Sequence, residues 1–147
     1  MSTINPTPPA PFAQLFRDRS RPMQVLLGGV IPVAFGAIAG VLLGVSSGAY
    51  YGFGGLAAVG SFLSGFEHRD GWGGADRGFW AGAFYGTALL VTHAIVGTHA
   101  KVSLGSFPPF LAVITTVAGM LIAAAGGRLA RFCRERAGVF ITDEPED

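Results

Sequence analysis

Charge is scarce in this chain, and the scarcity is uneven. Only 13% of the 147 residues are Asp, Glu, Lys or Arg, against roughly 25% in soluble domains. From Met23 to Phe66 there is no acidic, basic or histidine residue, and from Phe79 to Ser106 only His93, His99 and Lys101. Such stretches carry too little polar surface to face water and suit a bilayer interior. The net charge of +1 leaves no basic field for nucleic acid and no acidic one for a cationic partner. Cysteine is nearly absent: Cys133 stands alone, which excludes an internal disulfide framework, a CxxC redox pair and a cysteine-built zinc site. Lysine is nearly absent too, with nine Arg to one Lys beside abundant Gly and Ala, a bias common in GC-rich bacterial genomes.

What the chain has instead is apolar sequence in four blocks. Residues 25–45 hold twelve Val, Leu, Ile or Phe, worth roughly −4 to −7 kcal/mol for insertion before Gly and Pro are counted. At about 1.5 Å per residue this block matches the ~30 Å of a hydrocarbon core. A cleaved signal peptide would offer only about 7 to 15 apolar residues. Pro32 cannot donate to the carbonyl of Gly28, which predicts a kink near Gly28 and Gly29. Residues 48–66 form the weakest block, with six Phe, Leu or Val against six Gly, roughly −2 to −4 kcal/mol. That block is expected to insert as a hairpin with the first, turning at Ser46 and Ser47.

Residues 79–98 and 107–127 are the third and fourth expected spans. The fourth opens on Ser106, Pro108 and Pro109 and ends at Gly126, Gly127 and Arg128. Residues 67–78 read as a polar connecting loop, with Trp72 and Trp80 placed for an interfacial aromatic belt. Residues 1–24 begin as a proline-rich disordered tail; Phe12 to Arg21 then reads either as a short interfacial helix or as a plain linker. Residues 128–147 form a tail that is first basic and then acidic. The fold expected is therefore all-α, an integral membrane bundle of four transmembrane helices.

Orientation follows from the arginines. Arg17, Arg19, Arg21, Arg69, Arg77, Arg128, Arg131, Arg134 and Arg136 fall on one side of the four spans, and Lys101 alone on the other. The positive-inside bias places both termini and the 67–78 loop in the cytoplasm, in the plasma membrane of a bacterial cell.

Glycines recur at fourfold spacing: Gly36, Gly40 and Gly44 in the first span; Gly48, Gly52 and Gly60 in the second; Gly78, Gly82 and Gly86 in the third; Gly119, Ala123 and Gly127 in the fourth. Residues four apart share a helix face, so each stripe is a groove for a neighbouring backbone. Gly36, Gly40, Gly44, Gly82 and Gly86 are the packing residues expected. The stripes serve either internal packing or a homo-oligomer or larger membrane complex.

No motif for chemistry survives inspection. DGWGGADR, from Asp70 to Arg77, resembles the DGxxAR opening of the CDP-alcohol phosphatidyltransferases, whose aspartates bind divalent metal. The spacing differs, and the following helix lacks the GxxxDxxxD that completes that site. Glu67, His68, Asp70 and Asp76 are donor types that bind metals, and here they read as a solvated loop. The first span has no acid, unlike the proton-coupled small multidrug exporters. In layout, from Val25 to Gly127 with the connector GGADRG, the chain resembles the small uncharacterised four-pass membrane proteins of bacteria and archaea, a resemblance that implies no activity.

One ionisable residue lies well inside a span. His93 is expected to face the bundle, neutral, and to bond a hydroxyl, with Tyr51 first and Thr92 or Thr115 next. That residue is either a satisfied structural histidine or a proton- or solute-handling group. No cofactor, metal or catalytic residue is expected, and the chain reads as non-enzymatic. Its partner is the lipid bilayer, its action assembly by helix packing; the alternative is a small-solute transporter or channel component.

Overall fold

The computed structural model describes residues 16–136, all helical or irregular, with no strand among them. Residues 1–15 and 137–147, which include the proline-rich tail, the start of the interfacial segment and the acidic end, lie outside the described residues. Four helices follow a short turn at Phe16–Asp18. They are α1 (Arg21–Val45), α2 (Ser47–Gly65), α3 (Gly71–Val96) and α4 (Phe110–Arg136). Three of them, α1, α3 and α4, are long and apolar enough to cross a membrane. The glycines and serines of α2 keep it below that apolarity, although it has 19 residues.

Helix boundaries follow local chemistry. Ser46 is extended and its hydroxyl accepts from Ala49 N–H, so one residue breaks α1 from α2. Asp70 does the same for α3, accepting from Gly73 N–H at 2.8 Å. This cap corrects the expected 67–78 loop: the connector is only 66–70, and Gly71–Gly78 is already helix. At the other end Gly97 takes the left-handed conformation, φ 68°, that closes a helix. The fourth helix runs past Gly127 to Arg136, because Gly126 and Gly127 are packing contacts rather than a terminus. Beyond them Arg, Leu and Ala favour helix, and Arg131 pairs with Glu135 one turn on at 2.7 Å.

The helices alternate in direction, so the start of α1, the α2–α3 connector and the end of α4 share one arginine-rich end. The central element is α3, packed along α4 on one side and α1 on the other, with α2 laid mainly against α4. At the opposite end the 97–109 loop folds over the bundle, and Lys101 N–H donates to Leu43 C=O at 2.8 Å. Ala100, Val102 and Leu104 of that loop pack on a small cluster of Ala39, Leu43 and Leu89.

Size is inverted relative to a water-soluble core. Every buried residue of the four helices is Gly or Ala except Leu43 and Leu89. Large apolar side chains such as Val30, Leu56, Ile95 and Leu121 point outward. In water these would form adhesive apolar patches. In lipid, which removes the drive to bury Leu or Ile, close backbone packing through small residues is what holds helices together.

Candidate functional site

The glycine stripes show how close that packing is. A Cβ on Gly36 or Gly40 would lie 2.2 or 2.5 Å from the carbonyl oxygens of Tyr85 and Leu89, so this stripe seats α1 on α3. Gly44 meets the Thr98 side chain. On α3, Gly74, Gly78 and Gly82 approach carbonyls of Ala123, Gly119 and Thr115 of α4, and Gly86 touches Ala112 and Thr115. Thr115 Oγ1 adds a bond to Gly82 C=O at 3.1 Å. The α2 stripe differs: around Gly52, Gly54, Gly55 and Gly60 there is nothing within 4 Å of an added Cβ. Only Gly65, at the end of α2, is closed, against Ala123 C=O of α4.

The other concentration of chemistry is at the arginine-rich end, and it starts from Pro32. Residues 26–30 form a π-turn, in which Ile31 N–H reaches back to Leu26 C=O. The next donor in that register belongs to residue 32, and proline has none. Leu27 C=O is thereby left without a helical donor, one residue before the carbonyl expected from the α-helical pattern. Arg77 of α3 supplies the missing partner: its Nη2 donates to Leu27 C=O. Gly28 lies beside this guanidinium, and a Cβ there would be in ordinary contact with Arg77 Nη1 at 3.4 Å. The Phe16 ring covers the guanidinium at 4.8 Å, a cation–π contact worth about 0.5–2 kcal/mol.

Around this pair the chain is tied down from both flanks. Phe16 N–H donates to Glu67 C=O at 3.0 Å, Arg19 pairs with Glu67 at 2.7 Å, and Phe16 stacks on His68 at 5.7 Å. Gln24 Nε2 holds the same segment through the carbonyls of Arg17 and Arg19. From α4, Arg134 reaches His68 C=O. The expectation of mobile donors in a solvated loop is therefore corrected: Glu67, His68 and Asp70 are each engaged. Burial holds the His68 imidazole below its ordinary pKa, with Arg77 and Arg17 adding repulsion, while the bond to Ser64 C=O and the nearby Glu67 oppose the shift.

Between this segment, the first turns of α1 and the first turns of α3 lies a cleft of about 990 Å³. Arg17, Arg21 and Arg77 line it together with Trp80 and Phe84. Among the described residues no group of three or more His, Cys, Asp or Glu is placed to hold a metal ion.

The expected polar site has a different form. His93 lies at the level of Gly40, beside Thr92, and its Nδ1 is buried without a hydrogen-bond partner. Tyr51 is not that partner: it is 63% exposed and its ring packs edge-on against Tyr50. Thr115 is turned to Gly82 instead. Tyr51 and His93 stand on helices that are not each other's main neighbours, since α2 lies mainly against α4. The Arg77 contact was missed because neither the π-turn nor the neighbour of Leu27 is a local property of the sequence. The available signal was Asp70 followed by Gly73, a helix start that puts Arg77 on a helix.

No family model, curated protein or solved structure is significantly similar to this chain.

Proposed function

We propose that this protein is a non-enzymatic four-pass membrane protein that acts by assembly, with α2 as the face that meets a second copy or a larger membrane complex. Support comes from one contrast. The α1, α3 and α4 stripes are filled by a neighbouring backbone, while the outward glycines of α2 face open space. As the least apolar helix, α2 gains most from a protein neighbour in place of lipid. In this reading α2 is the fourth span, and the nine arginines put both termini on the cytoplasmic side of a bacterial plasma membrane.

The alternative, a small-solute transporter or channel component, requires a polar lane. The space between α1, α3 and α4 is taken up by glycine, alanine and leucine, and no polar or charged residue among those described is fully buried. Energy transfer between labelled copies in liposomes tests the assembly reading. Gly52→Ile with Gly60→Ile should abolish transfer and leave helicity unchanged. Transfer that persists in this variant, or that is absent from the unmodified protein together with any captured partner, removes the reading.

A further inference from the structure

The cleft at the arginine-rich end carries charge and apolar surface in an order that selects a ligand. Five arginines and four carboxylates stand in or beside it, and four of these nine groups are already committed. Arg19 is paired with Glu67, Asp70 caps α3, and Arg69 has a partner of its own. Arg17, Arg21 and Arg77 then remain without a carboxylate partner among the described residues, opposite Asp18 and Asp76. The uncommitted groups sum to three positive and two negative charges, an excess of one. Arg17 and Arg21 are exposed, and Arg77 is half-buried.

Below the charges the surface changes character along one face of α3. Arg77, Trp80 and Phe84 are three and four residues apart, so they stack on one side of the helix over roughly 10 Å. The rings of Trp80 and Phe84 lie 6.1 Å apart, and both remain open, 52% and 39% exposed. Val25 of α1 also lines the cleft. A ligand that matches needs one net negative charge in a group that arginine can bind, joined to an apolar chain long enough to run the length of this wall.

We infer that this cleft binds the phosphate of an anionic phospholipid, with the headgroup at Arg17 and Arg21 and an acyl chain along Trp80 and Phe84. Phosphate suits planar guanidinium donors, which bind it through paired N–H groups. The Arg77 charge, fixed by Leu27 C=O and Phe16, adds a favourable field from behind. The inference shares with the assembly reading only the placement of the chain in a bilayer.

The protein carries its own reporters, because its two tryptophans, Trp72 and Trp80, both line the cleft. In a Trp72→Phe variant all tryptophan emission comes from Trp80. The full chain in liposomes of phosphatidylcholine is titrated with phosphatidylglycerol brominated on its acyl chains, and in a parallel series with brominated phosphatidylcholine. Quenching by the anionic lipid should saturate and show at least tenfold preference over phosphatidylcholine. Arg17→Gln and Arg21→Gln should each reduce that preference about fivefold, the usual effect of one basic residue at a membrane surface. Arg136→Gln, a change at an arginine outside the cleft, should leave it unaltered.

Equal quenching by both lipids, or equal losses in Arg21→Gln and Arg136→Gln, overturns the site and leaves general surface attraction. Full competition by glycerol 3-phosphate at the concentration of the accessible lipid headgroup overturns the lipid assignment in favour of a soluble phosphate ester. No quenching by either lipid overturns the bilayer placement itself, and failure of α2-mediated transfer has no bearing on these outcomes.

Discussion

Arg77 of α3 donates its guanidinium Nη2 to the backbone carbonyl of Leu27 in α1, the carbonyl that Pro32 leaves without a helical donor. A proline defect in one helix is thus repaired by a charged side chain from another, and the repair ties the two helices together at the arginine-rich end. Removal of that side chain leaves a carbonyl, and not merely a contact, unsatisfied.

A double-mutant cycle tests this relationship. Arg77→Gln should destabilise the bundle by about 1 kcal/mol, at the low end of the cost of an orphaned polar group because the Leu27 carbonyl is only part-buried. In a Pro32→Ala background, where residue 32 again offers an N–H, the same change should cost most of that amount less. Reversible unfolding in mixed micelles measures both; strictly additive losses would show that Arg77 does not serve the Pro32 defect.

The two kinds of glycine should respond oppositely to a methyl group. Gly82→Ala places a Cβ 2.3 Å from Thr115 C=O and should cost more than ~2 kcal/mol, since neither backbone can yield. Gly55→Ala meets nothing and should be neutral or stabilising by up to ~1 kcal/mol through helix propensity. Gly86→Ile should disrupt folding where Leu90→Ile does not. Thermal unfolding of the four variants ranks them, and equal tolerance would place the α3 stripe against lipid.

Topology is testable by cysteine accessibility after Cys133→Ser. Cysteines placed at Asn5, Trp72 and Asp143 should be protected from a membrane-impermeant reagent in intact cells, and one at Ser103 should react. Reaction of the residue 72 cysteine from outside would show that α2, the least apolar helix, does not cross.

Stability should depend on pH through His68. Its pKa is held below the ordinary value by burial, so the unfolded chain binds a proton more readily than the folded one. Stability is then full above about pH 6.5, the unfolded value, and falls as pH drops below it, because folding must exclude that proton. Unfolding midpoints measured from pH 7.5 to 5 should decline in this window and lose part of that slope in His68→Gln. An identical slope in the variant would assign the effect to another group.

Local pattern was enough for the elements themselves. Apolar blocks long enough for a bilayer fixed three long helices, Ser46 was legible as the break between α1 and α2, and Gly36, Gly40 and Gly44 were legible as a packing face, because each depends only on residues within a few turns. The Asp70 cap was equally local, but a stretch of twelve residues of which ten are polar or glycine resembles a loop more than a helix start until the cap is weighed. Tertiary structure alone decided which stripe meets which helix. That choice left the α2 glycines open, turned Tyr51 away from His93, and brought Arg77 to Leu27 from fifty residues away. The physical reason is that a helix face advertises small size or polarity through its sequence, whereas the partner opposite it is set by how all four helices share limited contact surface at once.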